Sequence, residues 1–233
     1  MDKGKRFVIG DIHGCVLTFR KMVEEHLQLT KNDTLFLLGD YIDRGPDPKG
    51  VVDYIIELQR NSYNVVPILG NHEYMLLQSM ENDEDFENWT QNGYLTTLLS
   101  FGIKLPDIKG RSSVFDIHVR YIDFFKGLVK FAETKGFLLV HAGIGRDKEN
   151  PFDLYSLLWT REEFHNNKAL KGRKLIHGHT PMSLNSIRDR VYDPEEEFLN
   201  LDGGCVYKQF KGFGNLVALN LETMDLFVQE NID

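Results

Sequence analysis

Short apolar runs recur along the chain, and each of them ends in a tight polar turn. The runs lie at residues 7–9, 35–38, 65–69, 137–140 and 175–176. Their nearly continuous Phe, Leu, Ile and Val content is typical of strands that are buried on both faces. The pattern therefore predicts five buried strands, each closed by a turn.

The stretches between the first three runs have a helical period instead. Val16, Phe19, Val23 and Leu27 fall on one face of a helix, and the apolar positions of 51–58 repeat in the same way. Strands that alternate with helices in this manner indicate an α/β sheet.

Two segments depart from this alternation. Residues 74–135 have a mostly helical pattern, which predicts a helical cap over one sheet edge, inserted into a single domain that spans residues 1–233. The tail, residues 198–228, has closely spaced apolar runs that predict a meander of strands. These runs lie at 199–201, 205–207, 216–221 and 226–228.

Composition narrows the class of protein. Hydrophobic residues make up 42% and charged residues 27%, an ordinary globular balance that argues against a disordered or fibrous chain. The 27 Lys and Arg residues against 35 Asp and Glu residues give a net charge of −8, which opposes binding to nucleic acid as a polyelectrolyte. With two cysteines, no signal-like apolar region and no apolar run of about 18 residues, we expect a cytoplasmic protein that has reduced thiols and no membrane partner.

The candidate chemistry lies in the polar turns. In open α/β sheets, functional groups collect at the carboxyl ends of the strands, and Gly residues let short side chains converge there. Asp, Asn and His supply ligands suited to manganese, iron(II) or zinc, and Asp40 can bridge two ions about 3.5–4 Å apart. The turns have the sequences GDIHG from residue 10, GDYIDRG from 39, GNHE from 70, HAG from 141 and GHTP from 178.

Each turn has a simpler interpretation when it is taken alone. It can be a Gly/Asp turn beside a packed His, and Asn71 can be the N-cap of a helix. Five such turns after five successive strands are not explained in that way. A cysteine-based phosphatase is excluded, because the chain has no Cys-x5-Arg loop.

The five motifs together resemble the calcineurin-like metallophosphoesterase superfamily, and more narrowly its bacterial and phage PPP-type serine/threonine protein phosphatases. The resemblance extends from Gly10 to about Tyr207. It implies an α/β fold with a central β-sandwich, flanking helices and a helical cap, and a hydroxide held between two metal ions as the nucleophile. The implied ligands are Asp11, His13 and Asp40 for one ion, and Asp40, Asn71, His141 and His179 for the other.

The resemblance also assigns residues around the metals. His72 matches the general acid, and Asp43 matches the carboxylate that orients it. Arg44 and Arg161 match arginines that hold phosphoryl oxygens, a role suited to the paired donors of guanidinium groups. Tyr207 matches a residue at the rim of the site. Two simpler interpretations stay open: a surface salt bridge of Arg161 with Glu162 or Glu163, and core packing of Tyr207.

We therefore expect a binuclear, metal-dependent phosphomonoester hydrolase, most simply a manganese enzyme, with iron or zinc as alternatives. Its expected partner is a phosphoserine or phosphothreonine protein or a small phosphoester, and the sequence is compatible with a monomer. The alternative is a symmetrical dinucleoside tetraphosphate hydrolase, against which Asp43, Glu73 and the Thr180–Pro181 pair argue. A non-catalytic phosphoprotein-binding module is opposed by the complete set of motifs.

Overall fold

The apolar runs form strands in two mixed sheets. The computed structural model describes residues 4–147, 149–165 and 167–233. The first sheet contains β1 (Arg6–Ile9), β2 (Thr34–Leu37), β3 (Asn64–Pro67), β8 (Asn215–Asn220) and β9 (Leu226–Glu230), in the order β3-β2-β1-β8-β9. The second contains β4 (Phe131–Thr134), β5 (Phe137–Val140), β6 (Lys174–His177) and β7 (Phe198–Asn200), in the order β4-β5-β6-β7.

The strands that precede the polar turns are parallel within each sheet. In the first sheet, β1 and β3 both run parallel to β2, and in the second, β5 and β7 both run parallel to β6. Alternate side chains of the two sheets pack against each other in one apolar layer, which includes Val8 and Phe36 from one sheet and Leu139 and Ile176 from the other. This is the predicted β-sandwich, and it confirms the predicted fold class.

Helices cover the outer faces of the sandwich. Each helix buries one apolar stripe, and Val51, Tyr54, Ile55 and Leu58 form that of α2, as predicted. Asp47 caps α2 by accepting a hydrogen bond from the Gly50 N–H at 2.8 Å. The helices are α1 (Val16–Lys21, continued by a π turn at Met22–His26), α2 (Pro48–Arg60), α3 (Asn71–Gln78), α4 (Asp83–Thr90), α5 (Tyr94–Ser100), α6 (Val119–Lys126), α7 (Leu154–Trp159) and α8 (Leu184–Tyr192), with 3-10 turns at Leu105–Asp107, Gly110–Asp116 and Lys168–Leu170.

The segment 74–135 is helical from α3 to α6, but its last part is the strand β4, which pairs antiparallel with β5. Its helices share the core of the first sheet's outer face, where Trp89, Leu98 and Phe125 are buried. An isolated bridge between Ile68 and Val129 attaches the segment beside the edge strand β3. In the part of the chain that the structure describes, no helix has the length and apolar character needed to cross a bilayer.

The predicted meander in the tail is wrong in two respects. Only β8 and β9 form an antiparallel hairpin, whereas β7 lies in the other sheet. The run that begins at Cys205 is a turn and not a strand, because Gly204 has φ +61 and its carbonyl oxygen accepts a hydrogen bond from the Tyr207 N–H at 2.8 Å. The left-handed conformation of Gly204 ends any extended run there.

Candidate metal centre

The predicted metal ligands lie together where the carboxyl ends of both sheets meet. The Nδ1–H of His141, after β5, donates to the carbonyl oxygen of Leu38, after β2, at 2.9 Å, and so joins the two sheets at this edge. The remaining ligands come from the turns beside them. Asp11 and His13 follow β1, Asp40 follows β2, Asn71 begins α3 after β3, and His179 follows β6.

Asp40 occupies the middle of this group. Its Oδ2 lies 3.4 Å from Nε2 of His13, and its Oδ1 lies 3.5 Å from Nε2 of His141. Oδ1 also accepts a hydrogen bond from the His72 N–H at the start of α3, at 3.1 Å. One carboxylate thus lies between histidines of the two sheets, which is the placement a ligand needs in order to bridge two ions.

The histidines present lone pairs toward this carboxylate. Nδ1–H of His13 donates to the Ile42 carbonyl at 2.8 Å, as Nδ1–H of His141 does to Leu38, so Nε2 of both rings carries the lone pair that a cation would bind. Burial lowers the pKa of His13 and of His141, and burial together with His141 lowers the pKa of His179 to about 3. Neutral imidazole is the form that binds metals.

The chemistry of the donor set can be tested at Asn71. Its Oδ1 lies 2.8 Å from Nε2 of His141 and 3.1 Å from Nδ1 of His179. Two arrangements are compatible with these distances: the amide oxygen faces a cation that it shares with the two histidines, or the amide nitrogen donates to them. Ligands about 2.0–2.2 Å from one ion lie about 3 Å apart, so these residues fit a divalent cation. Without an ion, the amide can rotate so that its nitrogen donates to His141.

The two metal-site carboxylates differ in electrostatic environment. Burial, followed by Asp202 and Asp40, raises the pKa of Asp11 well above its usual range. Burial would also raise the pKa of Asp40, but its interactions with His141, His72, His13 and Arg44 more than offset this effect, and the pKa is held well below its usual range. Bound divalent cations would stabilise both groups as carboxylates.

At two positions of the motifs the backbone lies so close to a candidate metal-binding carboxylate that only glycine fits. A Cβ on Gly178 would lie 2.0 Å from Oδ1 of Asp11, and a Cβ on Gly70 would lie 2.3 Å from Oδ1 of Asp40. Neither carboxylate could keep its position beside a larger residue.

Several site residues have strained backbone conformations. The φ angle is +45 at His13, +53 at Asp40, +66 at Asp43, +68 at Arg44 and +71 at His179. Each such conformation costs roughly 1–3 kcal/mol in a non-glycine residue and persists only where its surroundings hold it. The concentration of these angles in the polar turns marks this edge as a functional site.

Glu73 holds two of these turns together. Its Oε2 accepts hydrogen bonds from the N–H groups of Asp40 at 3.0 Å and Gly70 at 3.1 Å. Its Oε1 accepts from the N–H groups of Tyr41 at 2.7 Å and Ile42 at 3.2 Å. The side chain is fully buried, so Glu73 fixes the backbone around Asp40.

His72 and Asp43 form a buried pair beside the candidate ligands. Nδ1–H of His72 donates to Oδ2 of Asp43 at 2.6 Å. Nε2 of His72 has no hydrogen-bond partner among the residues that the structure describes, and it lies 3.8 Å from Oδ2 of Asp40. The ring therefore points its free nitrogen toward the region where the two predicted metal sites meet, as a general acid there would require.

The predicted arginines lie at different places around this group. Arg44 is half-buried, donates from Nη1 to Nε2 of His13 at 2.7 Å, and has its guanidinium carbon 5.8 Å from the ring centre of Tyr207. Tyr207 is itself half-buried, which fits a rim position better than core packing. Arg161 is exposed and lines a cavity of about 260 Å³ that also includes Glu163.

The salt bridge considered for Arg161 does not form among the described residues. Glu163 accepts a hydrogen bond from Nη1 of Arg190 at 2.5 Å instead, and Nε2 of His177 lies 3.8 Å from the same carboxylate. His177 thus faces Glu163, while His179 faces the candidate ligands.

Sequence reasoning missed three residues that contact this site or lie close to it. Trp89 and Thr97, in the helical segment, donate hydrogen bonds to Asp43. Asp202 follows β7 and is buried near Asp11 and Asp40, and burial raises its pKa to about 7. Asp202 could have been found from the Asp-Gly step after its apolar run, which repeats the pattern of the other turns. Trp89 and Thr97 carry no such local signal.

The chain is similar to known proteins in both sequence and structure. Residues 5–209 match the calcineurin-like phosphoesterase family. The chain is 33% identical over 138 residues to a symmetrical bis(5'-nucleosyl)-tetraphosphatase of Wigglesworthia glossinidia brevipalpis, covering 59% of this chain and 44% of that protein. It is 37% identical over 87 residues to serine/threonine-protein phosphatase 1 of Salmonella typhimurium, covering 37% of this chain and 38% of that protein.

Similarity in structure extends further than similarity in sequence. A protein serine/threonine phosphatase of Saccharomyces cerevisiae superposes with a TM-score of 0.67 at 14% identity, over 99% of this chain and 81% of that one. At this identity the superposition shows the fold alone. The matches span less than half the length of the two curated relatives named above.

Proposed function

Because the chain belongs to the calcineurin-like phosphoesterase family, we propose that it hydrolyses phosphate monoesters and that its substrates are phosphoserine and phosphothreonine proteins. The observation that carries this proposal is the buried hydrogen bond from His72 to Asp43. Release of a serine or threonine side chain produces a strongly basic alkoxide, which must be protonated as it leaves. Cleavage of a dinucleoside tetraphosphate releases a weakly basic nucleotide phosphate, which has much less need of an acid.

The proposal includes two divalent cations. Asp11 and His13 would hold one, Asn71, His141 and His179 would hold the other, and Asp40 would be shared. When bound, the pair supplies a water of lowered pKa and a positive clamp on the phosphoryl oxygens. Manganese is the proposed metal. Iron and zinc are alternatives, because the oxygen and imidazole ligands suit all three metals.

The other residues of this chain bind the phosphoryl group and the leaving group. Arg44 and Arg161 are proposed to donate to the phosphoryl oxygens, since guanidinium groups hold them with paired, charge-assisted hydrogen bonds. Tyr207, packed beside Arg44, is proposed to line the rim. His72 donates its Nε2 proton to the leaving oxygen, and Asp43 keeps the ring oriented. No covalent phosphoenzyme is expected.

The local charge reconciles an anionic substrate with an acidic chain. The net charge is −8, yet two cations together with Arg44 and Arg161 would make the catalytic edge positive. The proposed setting is the cytoplasm, where the thiols of Cys15 and Cys205, which form no disulfide, stay reduced.

The alternative is a symmetrical dinucleoside tetraphosphate hydrolase, which is supported by the Wigglesworthia relative. Of the sequence features that argue against it, Glu73 now carries little weight, because it is buried and acts on the backbone around Asp40. Asp43 still argues against this alternative, because it orients the proposed general acid His72. A non-catalytic binding module is opposed by the intact ligand set.

The comparison of substrates tests this proposal. We would measure kcat/KM for a phosphoserine peptide and for diadenosine tetraphosphate on one sample of manganese-loaded protein, with its metal content determined. We expect a clear preference for the phosphopeptide, and we expect His72→Asn to reduce phosphopeptide turnover far more than dinucleotide turnover. A large preference for the dinucleotide would overturn the assignment to phosphoproteins.

A further inference from the structure

The helical segment 74–135 contributes hydrogen bonds to the buried carboxylate of Asp43. Nε1–H of Trp89, in α4, donates to Oδ2 at 2.8 Å. The hydroxyl of Thr97, in α5, donates to Oδ1 at 2.5 Å and accepts from the Asp43 N–H at 2.9 Å. With the bond from His72, both carboxylate oxygens are satisfied, and all four residues are 0% exposed.

We propose that Trp89 and Thr97 are positioning residues, which hold the Asp43 carboxylate and through it fix the orientation of His72. This inference rests on the proposed role of His72 as the acid. The segment would then be a working part of the catalytic site, in addition to any effect it has on substrate access.

The backbone at Asp43 explains why such support is needed. Asp43 has φ +66, a strained conformation for a residue other than glycine, and nothing within its own turn satisfies its carboxylate. A buried carboxylate is tolerated only when its oxygens accept hydrogen bonds. Thr97 contacts the side chain and the N–H of Asp43 at once, so it fixes both the rotamer and the strained peptide.

Gly93, which lies between Trp89 and Thr97 in the sequence, contacts the residue after Asp43. The carbonyl oxygen of Gly93 accepts a hydrogen bond from the Arg44 N–H at 3.3 Å, and a Cβ on Gly93 would lie 2.8 Å from Cγ of Arg44. Trp89, Gly93 and Thr97 are spaced four residues apart and all contact the pair Asp43–Arg44. This segment therefore contacts the turn that carries both the proposed acid's partner and a proposed phosphate ligand.

The experiment compares Thr97→Val with Thr97→Ser in the full manganese-loaded chain. Valine keeps the shape of threonine and removes the hydroxyl, whereas serine keeps the hydroxyl. The substrates are phenyl phosphate, whose leaving group is basic and needs an acid, and 4-nitrophenyl phosphate, whose leaving group is a stable anion. Thr96→Val is the matched control, because within the described part of the chain the Thr96 hydroxyl bonds to the Gly93 carbonyl, at 3.1 Å, and not to Asp43.

We expect Thr97→Val to lower kcat for phenyl phosphate by about 10- to 100-fold, the loss typical of one hydrogen bond to a charged group, with KM nearly unchanged. The loss for 4-nitrophenyl phosphate should be much smaller, Thr97→Ser should restore turnover, and Thr96→Val should resemble the unaltered protein. Equal losses on both substrates, or no loss on either, would overturn the inference. If Thr97→Val does not fold, Trp89→Phe, which removes the other donor, is held to the same expectation.

The failure of this inference can be told apart from the failure of the proposed function. If His72→Asn impairs phenyl phosphate hydrolysis while folded Thr97→Val does not, only the positioning role is wrong. If His72→Asn leaves phenyl phosphate turnover unchanged, His72 is not the acid, and the proposed function and the inference both fail.

Discussion

Nδ1 of His72 lies 2.6 Å from Oδ2 of Asp43, and neither residue is exposed to solvent. The two residues come from separate motifs, one after β2 and the other at the start of α3. The carboxylate can only accept, so the proton on this ring is fixed at Nδ1. Nε2 is left to face Asp40, and a second proton taken up there could be passed to a leaving group.

Replacement of His72 tests its role most simply. His72→Asn should reduce turnover of phenyl phosphate by roughly 10²–10⁴-fold while the protein still binds manganese, because general acids contribute about that much. The measurements are steady-state kinetics and metal content by mass spectrometry. His26→Asn is a suitable control, since His26 is exposed in the π turn after α1 and bonds to Gln229 of β9 at 2.9 Å. Unchanged turnover of phenyl phosphate would remove His72 from the mechanism.

Arg161 provides a prediction about substrate binding. It is exposed beside the cavity that contains Glu163 and forms no ion pair among the described residues, so its charge is available to a phosphate group. Arg161→Ala should lower kcat/KM by about 10- to 100-fold, the loss of a charge-assisted hydrogen bond. Arg188→Ala, which removes an exposed arginine from α8, should leave kcat/KM unchanged. Equal behaviour of the two variants would contradict the role of Arg161.

The ion pair of Glu163 with Arg190 should make the free energy of unfolding depend on pH. Its contacts with His177 and Arg190 lower its pKa to about 2. Because the folded pKa lies below the unfolded value of about 4.3, the stabilisation is complete above that value and is lost as the pH falls from about 4.3 toward 2. Solvent screening limits it to about 1 kcal/mol.

Urea unfolding between pH 2 and pH 7 measures this effect. The stability difference between the unaltered protein and Glu163→Gln should be largest near neutral pH and should shrink below about pH 4.3. Glu162→Gln, at the exposed neighbouring position, should show no such trend. A difference that stays constant down to pH 2 would show that the ion pair does not stabilise the fold.

Much of the fold could be predicted because the signals are local. Runs such as 137–140 are apolar throughout, and the turns after them place Asp, His and Asn at one edge by the geometry of parallel strands. The assignment of β7 to the second sheet could not be predicted. An apolar run does not specify its neighbour, and the turn after Asp202 depends on the positive φ of Gly204.

The candidate ligands could also be predicted from local signals, but the residues that support them could not. Its candidate ligands lie within a few residues of a strand end, whereas Trp89 and Thr97 are 46 and 54 residues from Asp43 along the chain. Nothing at the sequence level distinguishes a buried Trp that fills the core from one that also donates to a carboxylate. Glu73 shows the converse, because it belongs to a recognisable motif and yet acts on the backbone.

In the proposed mechanism, Asp40 is shared between two divalent cations that are required for hydrolysis. The most direct test measures bound metal and 4-nitrophenyl phosphate turnover together, as manganese is returned to a chelated sample. We expect no turnover without metal, full turnover at about two ions per chain, and loss of both binding and turnover in Asp40→Asn. Full turnover by a sample that mass spectrometry shows to be free of metal would contradict it.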